Sequence, residues 1–213
     1  MNRIILASAS PRRKEILEKT GFSFDIMVSG CDENTDESDP ALLVKELSRL
    51  KAKDIADKNP GKIVIGADTV VSHKNVIMGK PKDAEDAKNM IRSFAGDAHQ
   101  VYTGVCIVSQ TGREIGETLK KTLSDKCRDL DIYENDGRLT INFNVRTDVH
   151  VSDMTEEEIE AYVRTGEPMD KAGAYAIQGR FAPYIVSIDG DYYNVVGLPI
   201  CPVYMCLKAL LNS

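Results

Sequence analysis

Two short stretches carry side chains that could work on a charged small molecule. The first is "LASASPRRKEIL", where Ser8 and Ser10 precede Pro11, Arg12, Arg13 and Lys14. With Ser10 as N-cap and Pro11 as the first helical residue, the three cations fall in the first turn of a helix. The helix dipole is positive there, so each cation costs about 0.3–1 kcal/mol. A capping box would place Glu or Gln at the position Arg13 holds. A solvated basic helix end is one reading. The other is an anion site, because free backbone N–H groups, serine hydroxyls and guanidinium forks all suit phosphate oxygens.

The second stretch is "IVIGADTVV", an apolar run interrupted by Asp68. Burying a lone carboxylate is costly unless it is paired, hydrogen-bonded or metal-bound. Asp68 either caps a neighbouring loop from a strand end, or binds a divalent cation or orients a water. Gly66 just before it permits a close approach to the backbone. The acidic stretch "GCDENTDESDP" offers Asp32 and Glu33 as further oxygen ligands, and an oxygen-only set suits Mg²⁺ or Mn²⁺. Lys51, Lys80 and Lys171 are further cations that could reach phosphate. The common phosphate motifs are absent: "GKP" at Gly79 has no Gly five residues before it and no Ser or Thr after Lys80, and there is no G-x-G-x-x-G, kinase set or G-x-S-x-G elbow. Residue types and spacing thus point to an Arg/Lys/carboxylate site for a phosphorylated small molecule.

The elements that must hold these groups are mostly legible. Residues 3–7 read as a buried strand, and a helix runs from Pro11 to about Lys19, stopped by Gly21. Asp39 and Pro40 open a second helix that ends at "NPG", with Leu43, Leu47 and Leu50 on one face. "KIVIGADTVV" is a buried strand, and Ala84–Phe94 a helix closed by Gly96. "HQVYTGVCIVS" is another strand, and Thr155 with Glu158 forms a capping box. "PYIVSIDGDYYNVVG" reads as a hairpin around Asp189 and Gly190, and Pro199 opens a terminal helix in which Cys201 and Cys206 are small core residues. Residues 110–146 are the least legible, with a hairpin around Asp136 and Gly137. The class is α/β, mixed α+β, in one domain spanning 1–213.

Composition narrows the partners. The formal charge of −6 argues against a general nucleic-acid surface or an anionic-membrane surface, so polyanion binding is local. Hydrophobic residues make up 42 %, enough for a real core. Five cysteines without C-x-x-C spacing and three scattered histidines disfavour a disulfide framework or a zinc site. No apolar run approaches about 18 residues, so no membrane span is expected. These features lead to the expectation of a cytoplasmic protein.

The segments "SASPRRKEIL", "GADTVV", "GKP", "AGDAHQVYTGV", "GEPMDKAGAYAIQG" and "VVGLP" follow the order and approximate spacing of the Maf family of nucleoside triphosphate pyrophosphatases, which this chain resembles over nearly its whole length. The resemblance implies a fold akin to the inosine triphosphate pyrophosphatases, with two lobes around a central cleft. It also implies metal-assisted hydrolysis between the α and β phosphates, giving a nucleoside monophosphate and diphosphate. By position, Asp68 matches the family's proposed general base and Glu33 its acidic partner. Ser8, Arg12, Arg13, Lys51 and Lys80 match its phosphate and nucleotide contacts. Arg12, Thr69 and Gln178 fall where the branch preferring dTTP and UTP carries Arg, Thr and Gln, which implies those substrates and modified pyrimidine triphosphates. The connection over 110–146 is longer than the family's usual one, an insertion that is a flap, a contact within a homodimer, or a part outside catalysis. A non-catalytic nucleotide-binding regulator of cell division is the alternative, and a phosphotransferase a further rival.

Overall fold

The computed structural model describes residues 3–110, 116–135 and 137–212. Its frame is a mixed sheet of eight strands ordered β2-β1-β3-β5-β7-β6, with β4 added to β3 and β8 to β7. The strands are β1 (Ile4–Leu6), β2 (Phe24–Ile26), β3 (Ile63–His73), β4 (Val76–Met78), β5 (Ala98–Ser109), β6 (Arg128–Asn135), β7 (Arg138–Val151) and β8 (Ile185–Asp189). The β1 strand pairs in parallel with β2 and β3, and every other pairing is antiparallel.

Seven α-helices among the described residues cover this sheet: α1 (Pro11–Glu18), α2 (Pro40–Lys58), α3 (Ala84–Phe94), α4 (Gly116–Leu123), α5 (Glu156–Arg164), α6 (Tyr192–Val196) and α7 (Ile200–Leu211). Their starts follow from their caps. Ser10 Oγ accepts from the Arg13 N–H at 3.4 Å, and Asp39 accepts from Ala41 and Leu42 at 2.8 and 3.0 Å. The capping box of α5 is complete on both sides.

The long strands β3, β5 and β7 pass through two hydrophobic clusters. One gathers Leu6, Leu17, Ala67, Val105, Phe143 and Leu207; the other gathers Val71, Phe94, Val101, Val149, Tyr162 and Phe181. Asp68 and Thr69 lie between Ala67 of the first and Val71 of the second, so the polar interruption of β3 falls where one core gives way to the other. A third cluster, with Ile5, Ala52, Val64 and Cys106, seats α2 on the sheet. That seating depends on two missing side chains. A Cβ on Gly66 would collide with the Ser48 carbonyl, and one on Gly104 with the Val44 carbonyl. The α2 backbone therefore lies directly on β3 and β5.

Two expectations are corrected. Residues 183–197 form no hairpin: β8 takes its partner from β7, with Asp189 opposite Asp148, while Asp191 caps α6 through the Tyr193 N–H at 2.7 Å. An aspartate that can cap turned the chain into a helix where a second strand was expected. Cys201 is exposed, and only Cys206 is a core residue of α7. The 110–146 segment holds a helix, α4, in addition to the hairpin of β6 and β7, which pairs Asn135 with Arg138. Asp136 of that hairpin lies outside the described residues.

Candidate active site

The β1–α1 turn, the middle of β3, α2 and the 170–178 segment meet at a cleft of about 580 Å³. Eleven of the residues singled out from the sequence line it: Ser8, Ser10, Arg12 and Arg13 from the front of the chain, Glu33, Lys51, Asp68 and Thr69 from the floor, and Lys80, Lys171 and Gln178 around the mouth. Five cations of the lining face three carboxylates, Glu33, Asp68 and Asp170. The cleft is thus a local excess of positive charge in a chain of net charge −6.

Arg13 is the most constrained of these groups. Its Nε donates to the Gly197 carbonyl at 2.9 Å, one terminal nitrogen to Ser8 Oγ at 3.2 Å, and the other to Thr69 Oγ1 at 3.0 Å. A guanidinium carries five N–H donors, so two remain for a ligand. Burial pushes its pKa below the ordinary value, and the nearby Asp68 carboxylate opposes that shift. Thr69 is oriented in turn. Thr103 Oγ1, 2.9 Å from Thr69 Oγ1, donates its single proton to the Asn194 carbonyl, so the Thr69 hydroxyl is the donor of that pair and its lone pairs face Arg13. Asn194 is itself fixed by donating to the Val101 carbonyl and to Thr147 Oγ1, both at 3.0 Å. This chain of bonds holds α6 against β5 and β7 and sets the Gly197 carbonyl where Arg13 needs it.

Opposite lies the carboxylate pair. Lys51 Nζ is 2.6 Å from Asp68 Oδ1 and 2.9 Å from Glu33 Oε2, and the side chains of Lys51 and Asp68 are only 13 % and 15 % exposed. The pairing offsets the cost of a carboxylate set into an apolar strand. It depends on Gly66 and Gly104, which let α2 settle close enough for Lys51 to reach β3. Among the described residues no group of three or more His, Cys, Asp or Glu could hold a metal ion. Glu33 and Asp68 nevertheless converge on one cationic nitrogen. Two carboxylates fit a Mg²⁺-like ion that takes its remaining ligands from phosphates and water.

At the rim, Arg12 pairs with Asp170 at 3.8 Å, while Lys171 donates to the Glu167 carbonyl at 2.8 Å and to Asp170 at 2.5 Å. Lys80 and Gln178 are exposed beside the opening. Two sequence candidates lie outside the cleft. Asp32 turns back to accept from the Asn34 N–H, and Lys14 pairs with Glu18 on the outer face of α1. Three contributors were not foreseen: Asp170, Thr103 and the Gly197 carbonyl. Asp170 stands beside Lys171 in the sequence and could have been found from that charge pair; a backbone carbonyl leaves no signal in residue type.

Such a frame and cleft define a mixed α/β protein able to receive a polyanion beside paired carboxylates. The chain belongs to the Maf family: the family model described as Maf-like protein matches residues 3–210. It is 44 % identical over 209 residues to a dTTP/UTP pyrophosphatase of Lachnoclostridium phytofermentans, covering 98 % of this chain and 95 % of that one. It is 46 % identical to a dTTP/UTP pyrophosphatase of Alkaliphilus metalliredigens over 94 % of this chain and 92 % of the relative. A dTTP/UTP pyrophosphatase of Bacillus cereus shares 42 % identity over 98 % and 95 % of the two chains.

Proposed function

We propose that this protein is a nucleoside triphosphate pyrophosphatase. It hydrolyses dTTP, UTP and modified pyrimidine triphosphates between the α and β phosphates, releasing the nucleoside monophosphate and diphosphate. The observation that carries this reading is the Lys51 bridge between Asp68 and Glu33, set in the same cleft as the tethered fork of Arg13. A polyphosphate is cleaved mainly by positioning and charge neutralisation, and the cleft supplies both.

Each residue then has a role. The free N–H groups of the Arg13 guanidinium, the Arg12 amide at the start of α1, and Ser8 and Ser10 bind phosphate oxygens. Arg12, Lys80 and Lys171 bring charge from the rim to the leaving diphosphate. Asp68 orients the attacking water and accepts its proton as the new P–O bond forms and the α–β bridging bond breaks. Lys51 holds that carboxylate in place through its contact. Thr69 on the floor and Gln178 at the mouth read the base. Glu33 and Asp68 would hold a divalent cation, Mg²⁺ or Mn²⁺ by the hardness of the donors, which would supply charge neutralisation and a more acidic water.

A panel of triphosphates with each metal, analysed for products, tests the reading. Monophosphate plus diphosphate from dTTP and UTP is expected. Orthophosphate release indicates a different reaction, and binding without turnover indicates the regulator. Asp68→Asn is expected to lower kcat by about 100-fold or more while nucleotide still binds. Near-normal turnover of that variant overturns the assignment of the base.

A further inference from the structure

A second charged recess lies on the flank of α2 away from the cleft. Lys45, Arg49, Lys53 and Asp57 recur every four residues and so form one stripe along the helix. Lys51 falls between them and projects the other way, to Asp68. The stripe faces the β6–β7 hairpin and is clasped at both ends. Lys45 Nζ, with a side chain only 10 % exposed, donates to Asp131 at 2.7 Å and to the Asp129 carbonyl at 2.5 Å; Arg138 pairs with Asp57 at the other end.

Between the clasps is a cavity of about 210 Å³, lined by Arg49, Lys53 and Asp57 of the helix and Tyr133, Arg138 and Thr140 of the hairpin. The register accounts for the convergence: Thr140 stands opposite Tyr133, and Arg138 is two residues along the same strand, so all three share one face of the sheet. Three cations meet one carboxylate here. That carboxylate is already engaged by Lys53 at 2.9 Å and by Arg138. Arg49 has no acidic partner among the described residues. A half-buried guanidinium beside two further cations, a threonine hydroxyl and a phenol is a donor-rich set whose one carboxylate is already shared by Lys53 and Arg138. The cavity is too small for a whole nucleotide but admits a tetrahedral oxyanion.

We propose that this recess is a second anion site, taking phosphate either as the free inorganic ion or as one end of inorganic diphosphate. Its existence does not depend on the catalytic reading of the cleft, since none of its lining residues belongs to that machinery.

Amide-resolved NMR titrations of the full chain with inorganic phosphate and, separately, inorganic diphosphate test it. Saturable shifts are expected at the amides of Arg49, Lys53, Arg138 and Thr140, apart from any at Ser8–Arg13. The anion that saturates them at the lower concentration is the one the site takes. Arg49→Gln is expected to weaken that binding about tenfold or more, and Asp57→Asn, which frees Lys53 and Arg138, to tighten it. Shifts confined to the cleft, shifts on the α2 flank that never saturate, or equal affinity in the two variants each overturn the proposal.

Discussion

Arg13 stands in the first turn of α1, where the helix dipole works against a cation, yet its guanidinium is anchored on acceptors from the β1–α1 turn, β3 and the end of α6. Lysine would keep the charge there but could not satisfy three acceptors and still present donors to a phosphate. Arg13→Lys is therefore expected to lower kcat/KM by about 100-fold, roughly 2.7 kcal/mol of transition-state stabilisation. A rate within a few-fold of the parent would show that charge alone suffices. His99 illustrates the opposite use of a titratable side chain. It is fully buried, stacks on Phe94 and meets the Tyr175 hydroxyl at 2.7 Å, and burial lowers its pKa to about 3. Between its unfolded value of 6.5 and about 3, the unfolded chain holds a proton that the folded chain refuses. Stability is thus retained above pH 6.5 and lost as the pH falls, by of order 1 kcal/mol per pH unit. Denaturant midpoints at pH 7 and pH 4.5 should diverge less in His99→Gln than in the parent; an equal divergence would refute the burial argument.

The loop that carries Gln178 is held by an element rather than by its own sequence. Glu167, at the start of a short 3₁₀ turn (Glu167–Asp170), accepts from the Arg180 N–H with both oxygens at 3.0 Å and from the Tyr162 hydroxyl at 3.0 Å. A Cβ on Gly179 would collide with that same carboxylate, so the loop is pressed onto it. Glu167→Gln removes the charge and one acceptor while keeping the shape. KM for dTTP is expected to rise roughly 3- to 10-fold with kcat nearly unchanged. A fall in kcat at constant KM would place Glu167 in the chemistry instead. Elements announced by caps were legible in the sequence: Ser10, Asp39 and Thr155 open α1, α2 and α5 where expected. The three-residue β2 was not, because so short a strand has no periodicity to read. The five-residue α6 was hidden for a related reason, since Asp189-Gly190 resembles a hairpin turn until Asp191 is seen to cap.

At the scale of the molecule, residue types foretold the site better than its assembly. Arginine in a helix start and aspartate in an apolar strand were visible as anomalies, because each violates a local electrostatic preference. That α2 would lie flush on β3 and β5 was not visible, since it depends on two glycines meeting carbonyls of a helix about 20 to 60 residues earlier in the chain. The sheet built this way joins both hydrophobic clusters through the same three strands, with β5 and β7 paired from Ala98–His150 to Ser109–Leu139. One cooperative unfolding transition is expected, with far-ultraviolet circular dichroism and tyrosine fluorescence giving coincident curves; separate midpoints would mean that the two clusters melt independently. The longest tether in the cleft, from Arg13 to the Gly197 carbonyl, spans 184 positions. During synthesis the opening helix therefore emerges from the ribosome long before its last anchor is made. A nascent chain cut short ahead of that anchor has no finished pocket, so prematurely terminated products would be inert toward cellular nucleotide pools.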